Sequence, residues 1–161
     1  MDWTPKAGTE ALVAWIGPED ALAALNGLLI GGVAGSTLAE DYWRLVLWHI
    51  GDGHAARLNV DSAGARLAYW PRVWAARSLS YVGNRSAGPG LIDALEDDHW
   101  RVRMTAARTL GRLTIAESLD QLVELLEDEH ERVRAAAVTA LRRLRVPRSG
   151  SVLGPSLAGR E

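Results

Sequence analysis

The sequence predicts an all-α chain, an α-solenoid of stacked helix pairs with an irregular helical cap on its N-terminal side. Three observations carry that prediction. One unit is written twice: LIDALEDDHWRVRMTAARTLGRL (Leu91–Leu113) and LVELLEDEHERVRAAAVTALRRL (Leu122–Leu144) align without a gap at an offset of 31, with 12 of 23 positions identical. A fixed period of this length marks a stacked-repeat architecture. Within each copy the apolar residues recur at helical spacing. Each copy is also punctuated as two helices, with an acidic turn between them and arginines at the end.

The elements of the second copy show the logic. Ile115, Leu119, Leu122, Val123 and Leu126 fall at i, i+4, i+7, i+8 and i+11, one apolar stripe of a first helix. Glu127-Asp128-Glu129 then interrupts the pattern and supplies side chains able to cap the next helix and suit its positive end. Val133, Ala137, Ala140, Leu141 and Leu144 repeat the spacing in a second helix, which carries Arg142, Arg143 and Arg145 in its last turn and stops at Pro147. Val102, Ala106, Thr109, Leu110 and Leu113 do the same in the earlier copy. Shifting back by one more period pairs Arg72 with Arg103, Ala75-Ala76-Arg77 with Ala106-Ala107-Arg108 and Leu79 with Leu110. This is a third, degraded repeat, in which Pro71 replaces Val102 and suits only a helix's first turn.

The shared pattern is L-x-D-x-x-x-x-V-R-x-x-A-x-x-x-L. Leu95, Asp97, Val102, Arg103, Ala106 and Leu110 carry it once, and Leu126, Asp128, Val133, Arg134, Ala137 and Leu141 carry it again. It resembles the short HEAT-like repeats also found in phycobilin lyases. That resemblance implies an α-solenoid whose second helices line a concave binding surface. For function it is open, because such folds host many roles.

The N-terminal third predicts helices without a repeat. Thr9 is placed to cap a short helix from Glu10 to Ile16, closed by Gly17. Pro18 opens another, with Glu19 and Asp20 in its first turn and an apolar run to Ile30. The Gly31–Gly35 stretch reads as a loop. Thr37 and Glu40 form a capping box for a helix from Leu38 to Ile50. That helix is apolar almost all round (Leu38, Tyr42, Trp43, Leu45, Val46, Leu47, Trp48, Ile50), so it is expected to be buried. The domain then spans 1–146, with irregular helices over 9–60 and repeats over about 61–82, 91–113 and 122–144, and a Gly/Ser-rich flexible tail over 147–161.

Composition sets limits on function. The chain of 161 residues reads as one domain, long enough to bury a core. Its 18 basic and 20 acidic residues favour no class of partner by bulk charge. The absence of Cys removes disulfides, thiolate catalysis and Cys-ligated zinc. No apolar run reaches transmembrane length and no signal peptide is legible, so no membrane partner and a cytoplasmic location are expected. Nothing resembles a nucleophilic triad or a phosphate-cradling loop. His49, Asp52 and His54 could in principle form a facial metal triad, but a helix-terminal His and a polar turn explain them more simply. His99 and His130 share one repeat position at a helix start and read as capping or surface groups. His130-Glu131 resembles the His-Glu pairs of di-iron HEAT-repeat hydroxylases only in composition, since its place on the helix differs and His99 is followed by Trp100. No metal and no cofactor are expected.

The candidate site is the stripe opposite the core on each second helix. It comprises Arg132, Ala136, Thr139 and Arg143 in the last helix, and Arg101, Thr105, Arg108 and Arg112 in the one before. In the degraded repeat it comprises Trp70, Trp74, Arg77 and Tyr81. Stacked side by side these make one surface, aromatic at one end and Arg-rich at the other, built of residues that dominate binding hot spots. Trp74 and Arg108 are expected at its centre, the alternative being that Trp70 and Trp74 pack against the N-terminal helices and that the arginines pair with acids of neighbouring helices. Arg103 and Arg134 flank the core stripe beside the acidic turns and are expected to bond adjacent repeats, with Arg72 continuing that ladder although its own turn (Arg66-Leu67) lacks an acid. The reading that results is a non-enzymatic scaffold holding a protein or peptide. The alternatives are nucleic-acid binding, as in HEAT-like DNA glycosylases, and a chromophore-attachment factor like the phycobilin lyases. A net charge of −2 with a single Lys argues against nucleic acid.

Overall fold

The structure, a computed structural model, describes residues 4–31, 40–51, 69–82 and 85–145, with the side chains of 40–44 excepted. Among the described residues there are eight α-helices and no strand: α1 Pro5–Ile16, α2 Pro18–Gly31, α3 Glu40–Ile50, α4 Trp70–Val82, α5 Gly88–Asp93, α6 Trp100–Leu113, α7 Leu119–Glu124 and α8 Glu131–Arg145. None of them is long and apolar enough to cross a membrane. The Gly32–Gly35 loop, the Thr37 capping box, the start of the degraded repeat and the 147–161 tail lie outside the described residues.

The repeats are two-helix units, as the spacing predicts, with α4, α6 and α8 as the second helices. The first helices are shorter than the apolar stripes suggest. Each is a six-residue α segment held between two 3-10 turns, Arg85–Ala87 and Ala94–Glu96 around α5, Ala116–Ser118 and Leu125–Glu127 around α7. Tightened ends of this kind satisfy orphan carbonyls over a short span.

α6 lies between α4 and α8, and α4 also packs against α2. The stripe residues Leu79, Val102, Leu110 and Val133 are fully buried at these contacts. Close approach is built into α6 by Gly111, where an added Cβ would sit 2.6 Å from the Cα of Ala140. The buried Thr109 hydroxyl donates to the Ala76 carbonyl across the α4–α6 seam at 2.9 Å, so this polar group is satisfied. At the end of the array the stripe is less covered: Leu141 and Leu144 are only half-buried.

Two expectations for the N-terminal helices are corrected. α1 starts a turn before Thr9. Thr4 is its N-cap, accepting from the Ala7 N–H at 3.1 Å, with Pro5 in the first turn. Thr9 is instead buried and donates its hydroxyl to the Pro5 carbonyl. α3 is not covered all round: Val46, Leu47 and Ile50 enter the core while Leu45 and Trp48 are exposed. An apolar circumference shows what a helix can bury, and the number of neighbouring helices decides how much it does bury.

Candidate binding groove and the arginine ladder beside it

The predicted stripe divides into three parts. Arg77 and Tyr81 from α4, Arg108 and Arg112 from α6, and Arg143 from α8 come together along one groove of about 340 Å³, joined by Ser80, Thr105, Thr109, Thr139 and Ala140. Each helix places its groove arginines on the face away from the core, so the helical period that buries Leu79 and Leu110 also aligns the cations. Among the described residues the lining holds four guanidiniums and several hydroxyls and no carboxylate. Two of the arginines are positioned by neighbours. Arg77 donates to the Ile50 carbonyl at 3.1 Å, and the Arg112 guanidinium lies 5.0 Å from the Tyr81 ring centre. Arg108 and Arg143 are exposed. A row of guanidinium N–H donors of this kind suits carboxylate or phosphate oxygens.

Trp70, Arg101 and Arg132 belong elsewhere, to a stack of rings at the N-terminal ends of the second helices. Tyr69 lies on His99 with ring centres 3.4 Å apart and planes 7° from parallel, and Trp100 lies on His130 at 3.9 Å and 13°. Arg101 covers the Trp100 ring at 4.4 Å and also reaches Tyr69 and Trp70, while Arg132 reaches Trp100 at 5.7 Å. The stack repeats with the array, because Tyr69 and Trp100, like His99 and His130, are one period apart. That spacing was a usable signal, and sequence reasoning missed it for the rings.

Trp74 is a correction. It was expected at the centre of the exposed stripe, but it is 6% exposed and packs in the core. The cause is α3, whose end is covered by Gly51: a Cβ there would lie 3.0 Å from the Trp74 ring. Ala136, on the equivalent face of α8, is buried as well.

Beside the groove helices runs the ladder. Arg72 grips Asp97 with two bonds, Nε to Oδ2 at 2.6 Å and Nη2 to Oδ1 at 3.1 Å. Arg103 grips Asp128 identically at 2.8 and 3.1 Å, and reaches Glu129 at 3.3 Å. Each arginine therefore holds the aspartate of the following repeat, so the missing acid in the turn before Arg72 is of no consequence. Arg103 also donates through Nη1 to the carbonyls of its own turn, Asp97 and Asp98. The Asp128 bond raises the Arg103 pKa further, against its burial. Burial alone would raise Asp128, but the Arg103 bond and the His130 N–H together hold it below the usual carboxylate range.

The same aspartates organise the helix starts. Asp97 accepts from the His99 N–H and Asp128 from the His130 N–H, both at 2.8 Å. Each His then caps its helix, Nδ1 accepting the N–H of Arg101 or Arg132 at 3.2 Å. An accepting Nδ1 places the proton on Nε2 and requires a neutral ring. Burial and then the Arg101 charge lower the His99 pKa accordingly. His49 lies at the end of α3, stacked on Trp15 with its Nδ1 2.7 Å from the Leu45 carbonyl. Asp52 and His54 lie outside the described residues, within which no cluster of three or more metal-ligating side chains occurs.

A family model described as HEAT repeats matches residues 68–142 and, in an overlapping register, 89–159. No curated protein matches the chain. The two family matches together cover more than half of the sequence and fall on the helix pairs, Arg–Asp rungs and capping turns just described, and the chain belongs to the HEAT-repeat family.

Proposed function

We propose that the protein is a non-enzymatic binding scaffold that holds an acidic segment of a partner protein or peptide in the groove across α4, α6 and α8. HEAT repeats commonly serve as protein-interaction scaffolds, which supports the class of this reading. Its chemistry rests on one observation: Arg77, Arg108, Arg112 and Arg143 converge on a groove in whose lining, among the described residues, there is no carboxylate. The aspartates that bind the His99 and His130 N–H groups ahead of α6 and α8, Asp97 and Asp128, are turned to the ladder and answer Arg72 and Arg103 instead. Arg108, Arg112 and Arg143 are exposed to an outside acceptor, and Arg with Tyr is a side-chain set suited to binding hot spots.

Arg108 and Arg112 are the proposed centre, on the middle helix of the three. Replacing both by Ala should weaken capture of an acidic partner segment by more than about 2 kcal/mol, with helicity and unfolding midpoint nearly unchanged. A panel of acidic peptides titrated against wild type and the double variant measures this. Equal binding by both proteins would remove the groove from the account. Duplex DNA in the same titration separates the nucleic-acid alternative, which requires affinity falling steeply with salt.

A further inference from the structure

We propose that the exposed face of α7 and α8 around Leu119, Val123 and Val138 is a second docking surface, one that accepts an amphipathic helical segment of a partner protein presenting an aspartate to Arg134. The observation is a rung that is half made. Arg134 is held as Arg103 is held: its Nη1 donates to the carbonyls of Asp128 at 2.7 Å and Glu129 at 3.1 Å, just as Arg103 binds Asp97 and Asp98 at 2.9 and 3.2 Å. In Arg103 the other edge, Nε and Nη2, receives the aspartate of the next repeat. Among the described residues no carboxylate meets that edge of Arg134. The clamp orients a guanidinium fork toward an acceptor that the described residues do not supply, and a fork of this geometry selects a carboxylate.

The surface around it is apolar for the same reason. One period back, Gly88, Ile92 and Ala107 are wholly or partly buried, and Gly88 is met by the Ile115 side chain of the following repeat. Their equivalents on the end face are Leu119, Val123 and Val138, exposed by 39, 52 and 36%. The position of Gly111, which lets α8 approach closely, is occupied here by Arg142. A helix seated as tightly as α8 is therefore blocked, and the occupant is a single helix lying over α7 and the first half of α8.

The chain's own residues fit the rung poorly. The 147–161 segment is the nearest rival, since the family match reaches residue 159, but its sequence has Gly159, without a carboxylate, one period after Asp128. A second copy has Asp97 and Asp128 already engaged by Arg72 and Arg103.

The probe follows from the array. Residues Ile115–Glu129 meet the preceding repeat at both ends, through Ile115 at Gly88 and Asp128 at Arg103. A labelled synthetic peptide of that sequence, titrated against the full chain, should bind saturably. An Asp128→Asn peptide, or Arg134→Ala in the chain, should each weaken it by about tenfold or more, and the two together no further, because both remove one bond. Val138→Asp, a change at an exposed site, should also abolish binding. Absence of saturable binding, or indifference to Val138→Asp, overturns the proposal. It is equally overturned if binding appears only after Leu153→Asp with Leu157→Asp, which would put the chain's own tail on the face. A chain dimer in sedimentation that Val138→Asp dissolves would assign the face to a second copy and reject the partner.

Discussion

The two full repeats carry nearly the same residues, yet those residues have different fates. Arg103 is buried between two bonded aspartate-bearing turns, whereas Arg134 keeps only the carbonyls of its own turn. Leu110 is fully buried and Leu141 half-buried; Ala107 is covered and Val138 is exposed. The local helix is alike in both, so the difference lies in whether, among the described residues, another repeat packs against it. In an array of this kind stability is a sum of unit and interface contributions, and among the described residues only the first repeat of this pair has an interface on both sides.

Ionic variants sharpen the comparison most. Arg103→Ala leaves Asp128 buried without its partner and should cost about 3–5 kcal/mol, whereas Arg134→Ala should cost well under half of that. Chemical denaturation of the two variants measures both. The apolar pair comes next. Leu110→Ala should cost roughly 2–5 kcal/mol, and Leu141→Ala distinctly less, because its site already meets solvent. Equal losses would mean that the two positions are equally enclosed.

A smaller effect concerns pH. The His99 pKa is lowered in the folded chain, so below the unfolded value of 6.5 the unfolded state takes up its proton first. The contribution of His99 is therefore complete above pH 6.5 and is lost as pH falls from there through the folded value. His99→Asn keeps a capping acceptor and removes the titration, so its stability should fall less between pH 8 and pH 5 than that of the wild type. Identical pH profiles would detach the cap from the ring's protonation. The smallest effect belongs to the groove: Arg108→Ala and Arg143→Ala should change stability by less than about 0.5 kcal/mol, as exposed substitutions do.

What was legible in the sequence was what the period controls. The core stripes, the helix pairs, the ladder and the grouping of Arg77, Tyr81, Arg108, Arg112 and Arg143 all depend on spacing along one helix and its copy one period on. Trp74 was not legible, because helical phase places it opposite Leu79 and its kin but is silent about α3 arriving from outside the repeat. The start of α1 was missed for a local reason: Thr4-Pro5 and Thr9 are both sound starting signals, and the chain uses the earlier one to gain another turn. The broken first helices reflect competition between a short span and the orphan groups at its ends, which apolar spacing does not register.

The account rests most on the claim that repeats are joined by arginines reaching forward to the next aspartate. A double-mutant cycle on Arg103→Ala and Asp128→Ala, read by denaturant unfolding at neutral pH, tests it directly. The structure predicts strong coupling, with the double variant losing little more stability than either single one, because both singles break the same bidentate bond. Additive losses, within about 0.5 kcal/mol, would show that the two side chains act independently and would contradict the ladder.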